Sequence, residues 1–317
     1  MSRILVTGGA GFIGSHVVDA LVEAGHTVSV VDDLSSGSED FLNPKAAFHE
    51  MDVRSAQLIE VFEELRPEVV VHLAAQIDVR RSVQDPLFDA DVNVRGSLNL
   101  LEMCVANGVK RFIFASTGGA IYGAPEKLPA GETCPQLPES QYGTSKLCVE
   151  QYIGLYSRMY KLATVILRFP NVYGPRQSPH GEAGVCSILA GMMLDGQTPT
   201  LFGHGAPLRD YVYVGDIARG CVLALKKGEG ATLNLGSGKG TSVMELFEII
   251  RGFTGFEGKP VMKDLRPGEV DKIYITGAKA AEVLGWKPEV PLKDGLEKTV
   301  AYVREQRARE SAAAAEA

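Results

Sequence analysis

Short apolar runs separated by helical periods organise the first half of the chain. Arg3-Ile4-Leu5-Val6, Val28-Ser29-Val30-Val31, Val69-Val70-Val71 and Arg111-Phe112-Ile113-Phe114 are rich in β-branched residues and almost continuously hydrophobic. That pattern marks strands buried on both faces, hence a parallel sheet. Between the strands, Ile13, Val17 and Leu21 recur at four-residue spacing ahead of Gly25, which reads as a C-cap. Val94–Val105 and Ser145–Tyr156 repeat the helical pattern. Strand–helix alternation of this kind predicts an α/β fold with a doubly wound parallel (Rossmann) sheet.

After about Arg168 the pattern loosens. Gly and Pro become frequent (NVYGPRQSPHGEAG) and the elements shorten. A smaller α/β region is expected here, lying over the carboxyl edge of the sheet, where open α/β folds take their ligands. The chain therefore divides into a nucleotide-binding part, 1–168, and a substrate region, 169–303, some of whose segments are free to return to the sheet. The low-complexity tail, 304–317, reads as a frayed helix extension or disorder.

The first strand runs into Thr7-Gly8-Gly9-Ala10-Gly11-Phe12-Ile13-Gly14, which opens the first helix. Glycine allows the tight turn and lets backbone approach a pyrophosphate, and the helix N-terminus supplies free N–H groups. Gly8, Gly11, Phe12, Ile13 and Gly14 are therefore candidate dinucleotide contacts. Asp32 ends the second strand, with Asp33 beside it. A carboxylate here accepts from the adenosine ribose hydroxyls and repels a 2′-phosphate, so the expected cofactor is NAD, not NADP. Asp52, in MDVR with Val53, either meets the adenine or caps the following helix.

Tyr142-Gly143-Thr144-Ser145-Lys146 places a phenol and an ammonium four residues apart, on one face of a helix. A free tyrosine, with a pKa of about 10, is a poor base at neutral pH. A neighbouring ammonium and an oxidised nicotinamide are both expected to lower it toward the operating pH. Ser116 and Thr117, at the end of the fifth strand, supply a hydroxyl upstream.

Charge and composition narrow the partners. The 317 residues are 45% hydrophobic and 22% charged, with a formal net charge of −7 and basic residues no more clustered than Arg80–Arg81 or Lys226–Lys227. Nucleic acid is therefore not an expected partner. The start MSRILVTGG carries no leader pattern and no run approaches a membrane span, so a cytoplasmic protein with no membrane partner is expected. The five cysteines form no CxxC and read as free thiols. The six histidines show no HxH or HExxH spacing, so no metal is expected. Gly236-Ser237-Gly238-Lys239-Gly240-Thr241 lacks the Ser or Thr that must follow the Lys of a phosphate loop. It reads as a turn before a helix capped by Ser242 and Glu245.

With these motifs in place, the chain resembles the extended short-chain dehydrogenase/reductase family, and within it the UDP-glucose 4-epimerases. The strings TGGAGFIGSH, VDDLSSG, HLAAQ, NVRGSLNLLE, FASTGGAIYG, YGTSK, RFPNVYGPRQ, LRDYVYVGDIA, NLGSGKGTS and RPGEVDK run in family order through nearly the whole chain. The resemblance implies Tyr142 as base and Lys146 as its partner on the nicotinamide ribose. FASTGGAIYG carries one residue more than the commoner form, so Ser116 and Thr117 both remain candidates for the bridging hydroxyl, Thr117 preferred. Leu73, Ala74, Ala75 and Asn93 resemble residues lining the cofactor.

For a UDP-sugar substrate the resemblance implies Asn171, Arg209 and Arg266 on the diphosphate, Val185, Leu201 and Phe202 around the uracil, and Tyr211 and Glu269 near the nucleotide ribose and phosphates. Gly118 and Gly119 stand where dehydratases of the family carry an acid, which favours simple inversion at C4 over 4,6-dehydration. Arg176 either meets a glucuronate carboxylate or is structural. A UDP-glucuronate 4-epimerase or a decarboxylase is the neighbouring alternative, and a non-catalytic NAD-sensing protein the alternative from another class. Relatives of this kind form homodimers through paired helices, one of them beginning at the YxxxK segment.

Overall fold

The computed structural model describes residues 1–179, 184–265 and 270–316. The first part winds as β1 (Arg3–Thr7), α1 (Phe12–Glu23), β2 (Thr27–Asp32), β3 (Ala47–Glu50), α2 (Leu58–Leu65) and β4 (Val69–His72). Two short helices follow, α3 (Val79–Gln84) and α4 (Pro86–Ala90), then α5 (Gly96–Ala106), β5 (Arg111–Thr117), α6 (Gln141–Tyr160) and β6 (Ala163–Phe169).

The second part contains β7 (Asn171–Tyr173), α7 (Val185–Leu194), β8 (Thr200–Phe202), β9 (Leu208–Arg209), β10 (Tyr211–Tyr213), α8 (Val214–Ala224) and β11 (Ala231–Asn234). It ends with β12 (Thr241–Ser242), α9 (Val243–Thr254), β13 (Val261–Lys263), β14 (Lys272–Ile273), α10 (Ala278–Leu284) and α11 (Leu292–Glu316).

Seven strands form one parallel sheet in the order β11-β6-β5-β4-β1-β2-β3. The strands alternate between two apolar layers. Ile4, Val6, Val28, Val30, Val69, Val71 and Ile113 pack against α1 and α8. Leu5, Val31, Val70, Phe112 and Phe114 pack against α2, α5 and α6. Burial on both faces removes the polar alternation of a one-sided strand, which is why these runs read as continuous.

Local sequence explains the helix ends. Gly25 lies one residue beyond the α1 cap, Ala24, in the left-handed region at φ +82°. The pattern at Val94–Val105 becomes a wide π turn, Asp91–Arg95, that runs into α5. Helix α6 starts four residues ahead of its apolar pattern, because Ser140 caps it by accepting from the Gly143 N–H at 3.1 Å. The Ser242–Glu245 capping box is formed.

A single cut at residue 168 does not divide the molecule. After leaving the sheet at Phe169, the chain returns: α8 packs on α1, and β11 extends the sheet beside β6. The remaining segments build a smaller region of two- and three-stranded sheets around a third core of α7, α9 and α11. Helix α11 runs unbroken through residue 304, and Arg307 anchors it to α7 through the Gly191 carbonyl and, at 2.7 Å, the Asp195 carboxylate. Among the described residues, no helix is long and apolar enough to cross a membrane.

Candidate active site

The glycine turn between β1 and α1 is closed too tightly for side chains. A Cβ on Gly14 would fall 1.9 Å from the Gly8 carbonyl oxygen. One on Gly8, at φ +74°, would fall 2.6 Å from the Ala74 nitrogen. Leu73 and Ala74 are held beside the turn by donating to the Thr7 carbonyl at 3.0 and 3.1 Å. Phe12 and Ile13 form the first turn of α1 with Gly11 as its cap.

Asp32 is buried at the end of β2 and accepts from the Ala10 N–H at 2.9 Å and the Leu34 N–H at 3.0 Å. Burial raises its pKa, and the backbone donors oppose that. Asp33 is exposed and accepts from Ser35. Asp52 accepts from the Arg54 backbone and, at 2.9 and 3.0 Å, from its Nε. Helix α2 begins later, with Gln57 as its cap residue, so Asp52 does not cap it. Val53 is buried, and its carbonyl accepts from Asn99 at 2.8 Å. Asn93 is buried and brackets Gln76, next to Ala75, accepting from its N–H at 2.9 Å and donating to its carbonyl at 3.0 Å.

Tyr142 lies in the first turn of α6, with its phenol beside the Thr117 hydroxyl, which favours the ionised form. Lys146, one turn on, is buried. It donates to the Ala115 carbonyl at 3.0 Å and sits 4.7 Å over the Phe114 ring. Burial lowers the lysine to about 8 against the opposing charges of Asp89 and Glu150. Burial and then Asp89 raise Tyr142 above its ordinary value, with Thr117 opposing. The expected lowering of the phenol by Lys146 therefore does not arise from the protein's own groups. The ammonium is bound to a strand carbonyl, and burial dominates.

The neighbouring hydroxyl points elsewhere: Ser116 Oγ donates to Glu150 Oε1 at 2.6 Å. Directly beyond Thr117, Gly118 packs on Ile275, where a Cβ would fall 2.3 Å from Cδ1, and the wall opens only at Gly119. A Cβ on Gly119 would meet only Asn171 Oδ1 at 3.6 Å and Thr117 Oγ1 at 3.9 Å, which places Asn171 beside the Thr117 hydroxyl. Tyr211 pairs with Asn171 across β10 and β7. Val185, Leu201 and Tyr211 pack in the third core, with Phe202 next along β8. The Arg209 guanidinium donates to the carbonyls of Val270, Leu208 and Asp271 at 2.6, 3.0 and 3.2 Å. Arg266 and Glu269 lie outside the described residues. Arg176 is paired with Asp19 at 2.7 Å.

A glycine cradle too tight for a Cβ, a buried strand-end carboxylate and a Tyr–Lys pair thus meet at one sheet edge. Residues 4–236 match the model of the NAD dependent epimerase/dehydratase family. The chain belongs to that family. The UDP-glucose 4-epimerase of Mycolicibacterium smegmatis is 43% identical over 308 residues, covering 95% of this chain and 98% of that one. The crystal structure of a UDP-glucose 4-epimerase with UDP-glucose from Thermotoga maritima is 48% identical with a TM-score of 0.94, covering 96% of this chain and 99% of that one. A UDP-glucose 4-epimerase from Thermus thermophilus, in complex with NAD, is 43% identical with a TM-score of 0.90, covering 95% and 99%.

The epimerase/dehydratase-family chain also holds polar groups that motif spacing did not single out. Glu150 pairs with Arg168, whose Nη1 donates to the Tyr122 hydroxyl at 2.7 Å, and that hydroxyl donates to Asn234 at 2.8 Å. Glu150 stands four residues beyond Lys146 on the same helix, the one local signal that it belongs beneath the site. Asp89 had the same kind of signal, four residues before Asn93.

Proposed function

We propose that this epimerase inverts C4 of a UDP-hexose, interconverting UDP-glucose and UDP-galactose through a transient 4-keto sugar. The observation that carries this is the Tyr142 phenol beside the Thr117 hydroxyl, one helical turn from the buried Lys146, at the sheet edge that holds the glycine cradle. Bound NAD supplies the acceptor and the donor of the C4 hydride. The residues that suit it are Gly8, Gly11, Phe12, Ile13 and Gly14 at the pyrophosphate, Asp32 and Asp33 at the adenosine ribose, Asp52 and Val53 near the adenine, and Leu73, Ala74, Ala75 and Asn93 along the cleft.

Tyr142 takes the proton of the sugar 4-hydroxyl and returns it, while Thr117 orients that hydroxyl. Lys146 holds the nicotinamide ribose and keeps positive charge near the phenol. Gly118 and Gly119 offer no acid or base, which supports inversion without dehydration. Asn171, Arg209 and Arg266 bind the diphosphate, Tyr211 and Glu269 its ribose side, and Val185, Leu201 and Phe202 the uracil. The Arg176–Asp19 pair removes one reason to favour a glucuronate substrate. The enzyme acts in the cytoplasm as a homodimer, joined through the face of α6 that exposes Tyr152, Leu155 and Met159.

Purified enzyme, with no added NAD, would be offered a panel of UDP-sugars and the products read by NMR. Conversion of UDP-glucose to UDP-galactose is expected, lost in Tyr142→Phe. A 4-keto-6-deoxy product or release of carbon dioxide would refute the proposal.

A further inference from the structure

Asp89, in α4, is a carboxylate with no exposed surface, and the chemistry above makes no use of it. Its Oδ1 accepts from Gln76 Nε2 at 2.9 Å and Asn93 Nδ2 at 3.0 Å. Its Oδ2 accepts from Ser145 Oγ at 2.6 Å. Gln76 follows Ala75 in the loop beside the glycine turn, and Ser145 stands between Tyr142 and Lys146 on α6. One buried group therefore ties the cofactor-side loop to the helix that carries the base. A neutral amide at this position could satisfy the same three partners, since the serine hydroxyl can reverse its bond. Hydrogen bonding alone does not require the negative charge, and burying a charge is costly.

We propose that Asp89 is a positioning residue of the active site: it fixes the first turns of α6 to the cofactor-side loop, and its charge keeps the Tyr142 proton in place until a cation enters the cleft. This rests on Tyr142 being the base. Lys146 Nζ is bound to the Ala115 carbonyl at 3.0 Å, and the other groups facing the pair are neutral, paired or exposed. From β5 comes the Thr117 hydroxyl, and from α3 the Ser82 hydroxyl, which accepts from the Tyr142 N–H at 3.2 Å. From β4, His72 faces Lys146 but is neutral, its pKa lowered to about 3 by burial. From β6, Arg168 is paired with Glu150 of α6 itself. Arg81 of α3 is exposed and lies 4.0 Å over the Phe88 ring. In the same sense, the field of Asp89 adds to burial in raising Tyr142 and opposes burial at Lys146. An oxidised nicotinamide held beside the phenol would add positive charge that offsets this field and favours the ionised phenol, and the neutral ring would not.

The test is 13Cζ-tyrosine NMR of the full chain across pH 7–12, with Tyr142→Phe identifying the resonance. In the cofactor-free protein, Tyr142 should ionise above an ordinary tyrosine. In Asp89→Asn it should ionise lower by roughly one pH unit, and the acid limb of kcat against pH should move the same way. Ser145→Ala cuts the tie but keeps the charge. It should lower kcat about tenfold through misplacement and leave the ionisation where it was. An unchanged Tyr142 titration in folded Asp89→Asn would overturn the proposal, as would Ser145→Ala shifting the titration equally. Should Asp89→Asn not fold, the wild type decides: Tyr142 ionising at or below the ordinary tyrosine value refutes it. Because the titration needs no turnover, a Tyr142→Phe enzyme that still epimerises would defeat the base assignment alone.

Discussion

Ser116 Oγ donates to Glu150 Oε1 at 2.6 Å, and this bond turns Ser116 away from the Tyr142 phenol and leaves Thr117 as its partner. Two adjacent hydroxyls thereby face different partners. Thr117→Val is expected to lower kcat by about 10²-fold, the scale of a lost proton-transfer contact, with little change in urea unfolding. Ser116→Ala should do the reverse, holding kcat within a few-fold while losing about 1.5–3 kcal/mol for a hydrogen bond to a charged group. Equal kcat losses in both variants would contradict this division.

The pair beneath them, Glu150 and Arg168, has side chains 4% and 2% exposed. Removing one charge strands the other in the interior. Arg168→Met alone should cost about 3–5 kcal/mol, and Glu150→Leu with Arg168→Met considerably less, because no charge is left unpaired. Denaturant unfolding of the two single variants and the double variant measures the difference.

Lys146 gives a stability signature with a definite sign. Its pKa in the folded chain is about 8, and an unfolded lysine holds its proton to about 10.4. Between those values the unfolded chain binds more protons, so this residue makes stability rise with pH, by at most about 1.4 kcal/mol per unit. Below about pH 8 its burial is a full penalty. The thiols of Cys104, Cys186 and Cys221, raised by burial, pull the opposite way above about pH 8.5. Subtracting the urea midpoints of Lys146→Met from those of wild type across pH 7.5–9.5 isolates the lysine. A flat difference would show that it is not buried as a cation.

Gly14→Ala forces a methyl to within 1.9 Å of the Gly8 carbonyl oxygen unless backbone moves. The expected result is a protein destabilised by about 1–3 kcal/mol that is purified without dinucleotide. Chromatography of the small molecules released on denaturation reads the second effect directly.

Tyr152, Leu155 and Met159 lie at three- and four-residue spacing on one face of α6, with relative exposures of 36%, 38% and 59%. In light scattering the wild type is expected at the mass of a dimer, and Leu155→Glu combined with Met159→Lys at that of a monomer. Equal masses for the two would contradict a contact through this face.

Much of this molecule was legible from spacing alone. Strands buried on both faces leave continuous apolar runs, and a βαβ turn that approaches a pyrophosphate needs its glycines and its acid at nearby positions, so β1, α1, β2, Asp32 and the Tyr142–Lys146 pair all lie within local reach of the sequence. Other features were decided by the fold. Ser116 and Thr117 are adjacent in sequence, and only the placement of α6 along the end of β5 brought Glu150 to the first and Tyr142 to the second. Asp89 reaches Ser145 across 56 residues, and Arg168 reaches Tyr122 across 46. The return of β11 to the sheet and the docking of Arg307 are likewise contacts between distant segments. Local periodicity records which faces are buried, but the partners that bury them come from elsewhere in the chain, and it is those partners that set the charge around the Tyr142 phenol.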